Sequence, residues 1–181
     1  IVLFLPHRAD PTRGERFSAD LLPLELLQIA TGPAAAGYEI VLIDAMIEPK
    51  YVEKCIEACD GALLFASSCI LGYQVYDGYL VALAVREKFP KLPILWGGWF
   101  PSVIPEMYLD AGVADAVGIG QGEITFHEVV QALEAGVDLA QVPGLAIRRE
   151  GRTVYTAHRE VVGFEKFKPV PWHLLDFEKY A

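Results

Sequence analysis

No apolar run in this 181-residue chain approaches the roughly 20 residues that a membrane-spanning helix requires, although 53% of its residues are hydrophobic. The opening IVLFLPHRAD also lacks the basic n-region of a secretion signal. The apolar content therefore belongs to one buried core, and the chain is read as soluble and cytoplasmic. Cysteine is scarce: Cys55, Cys59 and Cys69 are too few for a disulfide framework, and no disulfide is expected. Positive charge is scarce too, with 15 Lys and Arg against 24 Asp and Glu. The net charge of −9 repels phosphate backbones and anionic lipid alike, so neither nucleic acid nor membrane is a natural partner. No initiator Met precedes Ile1, which already stands in an apolar strand, so the chain is expected to be a fragment.

Several functional signatures are missing as well. The first strand is followed by LPHRADPTRG and not by G-x-G-x-x-G, so Asp44, at the end of the second strand, is not read as a ribose-binding acid. Nor is there an acidic pair after strand one or an acceptor Asp after strand three, as a response regulator would need; Leu5-Pro6-His7 and Ser67-Ser68 stand there. No Ser-His-Asp or metal-ligand constellation is seen.

What is present is a repeated switch between short β-rich runs and longer stretches of helical period, the pattern of an α/β domain with a parallel sheet. Strands are expected at Ile1–Leu5, Glu39–Ile43, Ala62–Ala66, Pro93–Trp96 and Ala116–Ile119. Helices are expected from Leu22 to Ala36, capped by Ser18 or Asp20, then from Pro49, after Ser67-Ser68 as far as Phe89, from Pro101, and from Glu123 to Ala135. Cys55 and Cys59 recur with Tyr51, Val52 and Ile56 on one helical face and read as core. In the third helix Tyr76, Tyr79, Leu80 and Leu83 are assigned to the inner stripe, and in the last helix Phe126, Val129, Val130 and Leu133. Gly144–Arg149 and Arg152–Ala157 alternate around Glu150-Gly151 as a hairpin, and Phe164–Ala181 reads as a connector whose aromatics call for a packing partner. Three parts are thus expected: an α/β domain over 1–140, a hairpin appendage over 141–160 and a linker over 161–181.

Ligands of an open parallel sheet bind outside the carboxyl ends of its strands, where strand order reverses. The candidates are His7, Arg8, Asp10, Thr12 and Arg13 after strand one, Ser67 and Ser68 after strand three, Gly97 and Gly98 after strand four, and Gly120, Gln121, Gly122 and Glu123 after strand five. Gly97-Gly98 removes both Cβ atoms at the ligand-facing edge, or alternatively supplies positive φ for a turn. Ser67 and Ser68 offer hydroxyls beside them, or cap the following helix. The N–H groups opening the last helix can receive a carboxamide or phosphate oxygen, while Glu123 can equally serve the helix N-terminus.

Ser68-Cys69-Ile70 followed by Gly97-Gly98 resembles the S-x-L and G-G elements of cobalamin-binding domains, at their usual separation. GGWFPSVIPEMYLDAGVADAVGIGQGE, from Gly97 to Glu123, looks like the GG-x-x-P…PE…D-x-V…G-E-G-E run of such domains in radical S-adenosylmethionine proteins, and VPGLAIRREGRTV with KPVPWHLLDFEKY is similar to their hairpin and linker. The resemblance covers essentially the whole chain and extends to the anaerobic magnesium-protoporphyrin IX monomethyl ester oxidative cyclase type, with methyltransferases sharing the architecture. It implies a flavodoxin-like (Rossmann-like), doubly wound, five-stranded parallel sheet with a C-terminal β-hairpin and linker. It also implies a cobalamin held by His7, Arg8, Ser67, Ser68, Ile70, Gly97, Gly98, Trp99 and Gly120 to Glu123. The D-x-H-x-x-G motif that supplies a cobalt-ligating His is missing, so no protein His is expected on cobalt. The motif C-x-x-x-C-x-x-C is missing too, since Ala62 stands where its third cysteine would follow Cys55 and Cys59. The [4Fe-4S] cluster and S-adenosylmethionine are therefore assigned to a radical domain of the same chain, outside these residues, and the fragment is not expected to be catalytic alone. The competing expectation is a degenerate docking domain of the same fold that binds no cobalamin.

Overall fold

The computed structural model describes residues 1–10, 12 and 21–180. Strand β1 (Val2–Leu5) is buried at all four positions, as a central strand covered on both faces must be. It is followed by α1 (Leu24–Ala35), β2 (Val41–Asp44), α2 (Tyr51–Ala58), β3 (Phe65–Ser68), α3 (Tyr73–Lys88), β4 (Ile94–Gly97), α4 (Trp99–Val103), α5 (Pro105–Asp110), β5 (Ala116–Gly118) and α6 (Gly122–Ala135). The hairpin is β6 (Leu145–Arg149) and β7 (Arg152–Tyr155). Its turn residues Glu150 and Gly151 have φ of 48° and 76°, the left-handed pair a two-residue turn requires.

The sheet runs β2-β1-β3-β4-β5-β6-β7; the first five strands are parallel, and β6 and β7 extend them antiparallel. The hairpin thus continues the sheet to seven strands. Side chains alternate between two layers. Phe4, Phe65 and Trp96 face Cys55, Val81 and Tyr108 on the α2, α3 and α5 side. Leu3, Leu5, Ala66 and Leu95 face Ala30 of α1 and Phe126 and Val130 of α6.

Four sequence expectations change. Strand β3 lies three residues later at its start, so Ser67 and Ser68 are its last two strand residues and not a loop. The stretch after Pro101 is two short helices, α4 and α5. On α3 the buried stripe is Gln74, Asp77, Gly78, Val81, Ala82 and Val85, whereas Tyr76, Leu80 and Leu83 are exposed. That helix is apolar on two stripes, and its buried polar residues near the N-terminus are needed by distant backbone groups. Finally, the connector settles into three 3-10 turns, ending with Phe177–Tyr180, instead of a short helix. The expected caps Ser18 and Asp20, and Arg13, lie outside the described residues.

Candidate functional site

Strand order reverses between β1 and β3, and the loops there are tied to the first turns of α3. The buried Asp77 carboxylate accepts the His7 backbone N–H at 2.8 Å and the Tyr51 hydroxyl at 2.7 Å. Gln74 Oε1 accepts the Ile70 N–H at 3.0 Å, and its Nε2 donates to Pro6 O at 3.5 Å. One turn of α3 thereby fixes the loops after β1 and β3, and the hydrogen bonds keep the buried carboxylate and amide from being left unpaired.

Open space is found one step along the edge, at the carboxyl ends of β3, β4 and β5. A cavity of about 280 Å³ lies there between the sheet and the first turns of α1 and α6. Its sheet side carries Ala66, Ser67, Leu95 and Gly97, and its helix side carries Glu25, Ile29, Glu123 and Phe126. Ser68 and Gly97 are direct register partners. A Cβ on Gly97 would meet no atom within 4 Å, so bare backbone faces open volume. Gly98 is different: its φ is +93°, and a Cβ there would lie 2.3 Å from Cys69 O and 2.9 Å from Ser68 Oγ. Only glycine lets these two loops approach so closely.

Ser67 is 3% exposed, and its Oγ has no hydrogen-bond partner within the protein. That side chain follows Phe65 onto the α2/α3 face, away from the cavity, whereas Ser68 follows Ala66 onto the cavity side. Ser102 braces the rim: its Oγ lies 2.8 Å from Gly98 O and 3.0 Å from Gly118 O and accepts the Gly120 N–H at 3.3 Å. These features fit a large, flat, amide-bearing ligand: a wall without side chains, the Ser68 hydroxyl at the strand end, and the Glu25 and Glu123 carboxylates available as acceptors.

The three cysteines are buried as free thiols. Burial pushes the Cys55 thiol up strongly and Cys59 and Cys69 up to about 11, while Cys69 Sγ sits 3.3 Å from the Tyr108 hydroxyl. Among the described residues no group of three or more His, Cys, Asp and Glu is placed to hold a metal ion. Asp44, at the carboxyl end of β2, is 1% exposed, and burial raises its carboxyl above the usual range despite hydrogen bonds from the Met46 N–H and the Tyr180 hydroxyl.

Of the residues singled out in the sequence, Ser67, Ser68, Gly97, Gly98 and Gly120 to Glu123 line the cavity. Ile70 and Trp99 do not; they project outward, 58% and 62% exposed. His7 and Arg8 also stand outside the lining. His7 Nδ1 accepts the Ala9 N–H at 3.4 Å with its ring edge-on to Tyr73, and Arg8 donates to Leu21 O. Gln121 lines the cavity, but its amide is engaged in a reciprocal pair with the backbone of Val162: Nε2 donates to Val162 O at 3.1 Å, and Oε1 accepts the Val162 N–H at 2.9 Å. Glu25, Ile29, Ala66, Leu95, Phe126, Ser102, Gln74 and Asp77 were not singled out in the sequence.

The fold and this glycine-edged cavity define a ligand-binding α/β domain, and residues 13–130 match the B12 binding domain family. The chain belongs to that family. Among curated proteins it is 30% identical over 187 aligned positions to the anaerobic magnesium-protoporphyrin IX monomethyl ester cyclase of Synechocystis sp., a match spanning 100% of this chain and 37% of that protein. It is 31% identical over 108 positions to an uncharacterized methyltransferase of Pyrococcus horikoshii, covering 59% of this chain and 24% of the relative. The chain thus spans well under half the length of both relatives. Among solved structures it resembles the radical S-adenosylmethionine methyltransferase TsrM of Kitasatospora setae, determined with cobalamin and a [4Fe-4S] cluster bound, with a TM-score of 0.70 and 19% identity over 93% of this chain and 30% of that one. It also resembles the cobalamin-dependent S-adenosylmethionine radical enzyme OxsB, determined with aqua-cobalamin and S-adenosylmethionine, with a TM-score of 0.69 and 14% identity over 88% of this chain and 22% of that one. No helix among the described residues is long and apolar enough to cross a membrane.

Proposed function

We propose that the cavity at the ends of β3, β4 and β5 takes part of a cobalamin, and that the chain serves as the cofactor-holding domain of a larger radical S-adenosylmethionine enzyme of cyclase or methyltransferase type. The observation that carries this reading is the bare Gly97 backbone, paired in register with Ser68 on the same face of the sheet and opening on the cavity. Bound cobalamin supplies a corrin-held cobalt suited to methyl transfer or electron exchange. In this assignment the chain's own residues bind and orient. Gly97 and Gly98 let the ligand lie against backbone, Ser68 Oγ bonds it at the strand end, and the first-turn carboxylates of Glu25 and Glu123 accept from amide N–H groups at the mouth. His7 stands outside the cavity, and no bond to cobalt is assigned to it in this reading. The [4Fe-4S] cluster and S-adenosylmethionine belong to a radical domain of the parent protein, and the present residues alone are not catalytic.

The test is titration of the purified chain with hydroxocobalamin, followed by gel filtration and a visible spectrum of the protein fraction. Co-elution with a spectrum free of protein-His coordination is expected. Failure to retain the cofactor at high micromolar concentration would overturn the reading and leave a docking domain that has lost its ligand.

A further inference from the structure

The segment after the hairpin crosses the layer that walls the cavity and is fastened at both of its ends. At one end the Gln121 amide holds the Val162 backbone in the two-bond pair described above, between the cavity-lining Gly120 and Gly122. Arg159 adds an ion pair to Glu128 of α6 and a hydrogen bond to Pro143 O. Midway, Lys166, Phe167 and Lys168 lie over the seam where α1 and α6 meet, beside Gly32 and His127. Leu174 packs onto the α1/α6 core. At the far end the chain returns to the carboxyl edge of the sheet. Tyr180, 8% exposed, donates its hydroxyl to Asp44 Oδ2 at 3.2 Å, and Lys179 Nζ lies 2.6 Å from Glu48 Oε1. The Tyr180 hydroxyl also feels the charges of Arg8 and of Glu25, the α1 residue that lines the cavity. Two helices carrying a cavity wall are therefore bound across their outer side by one strap whose anchors are loops of the ligand edge itself.

We infer that residues 158–180 act as a clasp that sets the α1/α6 wall of the cavity, with Gln121, Lys179 and Tyr180 as its positioning residues. The functional half of this statement rests on the cobalamin reading. Tyr180 and Lys179 do not line the cavity, so they reach a ligand only through the parts they fasten together, the strap and the edge after β2. Gln121 alone does not discriminate, because it also lines the cavity.

The deciding comparison is therefore the full chain against Lys179→Met/Tyr180→Phe, with Gln121→Ala as a second variant, read by hydrogen exchange and by hydroxocobalamin retention. Loss of one net hydrogen bond of about 1 kcal/mol at an anchor corresponds to about fivefold weaker retention. Faster exchange is expected at residues 118–123 and 24–29 in both variants, with the amides of β1 and β3 unchanged. Faster exchange confined to residues 161–180, with retention unaltered, would overturn the clasp and leave the cobalamin reading standing. If the unaltered chain retains no hydroxocobalamin, the cobalamin reading fails. The exchange pattern at 118–123 and 24–29 then still decides whether the strap sets that wall.

Discussion

Gly97 and Gly98 are adjacent and chemically identical, yet substitution should affect them in opposite ways. At Gly98 an added methyl meets two penalties. The backbone at φ +93° is a conformation in which an L side chain costs about 1–2 kcal/mol, and the Cβ would lie 2.3 Å from Cys69 O, a strand-end carbonyl that must move. Overpacking of that kind costs about 1–3 kcal/mol more, so Gly98→Ala should lose about 2–5 kcal/mol. In a chain of this size each kcal/mol lowers Tm by about 2–4 °C, which places the drop near 10 °C. At Gly97 the backbone is ordinary strand and a Cβ meets nothing within 4 Å. Gly97→Leu should therefore stay within about 1 kcal/mol of the parent in stability while filling the space a ligand needs, so that hydroxocobalamin affinity falls at least about tenfold. Thermal melts of both variants beside a spectroscopic titration of Gly97→Leu give the answer. If Gly97→Leu binds like the parent, or melts lower than Gly98→Ala, the assignment of wall and close approach is wrong.

Ser68→Ala should lower Tm by no more than about 4 °C while weakening hydroxocobalamin about fivefold by one lost hydrogen bond of about 1 kcal/mol; equal affinity would show that Ser68 does not meet the ligand. Asp44 predicts a pH dependence of definite sign. Its carboxyl is raised in the folded state above the unfolded value near 3.9, so the stability linked to it is complete at low pH and is lost as pH rises through the folded pKa. The Tm of Asp44→Asn relative to the parent should consequently climb between pH 4 and neutrality, and a relative Tm that falls over that interval would contradict the buried-carboxylate account.

What the sequence made legible is what depends on near neighbours. Short apolar runs alternating with helical period marked the five parallel strands, the Glu150-Gly151 turn announced the hairpin, and strand-end glycines pointed to the edge where the cavity lies. The misread helix α3 shows the limit of periodicity. Tyr76, Leu80 and Leu83 form a better apolar stripe than Gln74, Asp77 and Gly78, yet the latter face inward because Pro6, His7 and Ile70 need their polar atoms or their small size. The partners of Asp77 and Gln121 lie 70 and 41 positions away, and no local pattern encodes such pairings. The cavity walls were hidden for the same reason: Ile29, Ala66 and Phe126 are unremarkable apolar residues until α1, β3 and α6 are brought together.

The Asp77 bond to His7 also bears on the order in which the molecule forms. Its two ends are 70 residues apart, so the loop after β1 cannot settle until β2, α2 and β3 are in place and α3 has docked on the sheet. Closing so long a loop is entropically costly and is repaid only when the distant contact is made. The first strand laid down by the chain thus carries one of the last segments to become ordered, and the ligand edge matures with the second half of the domain.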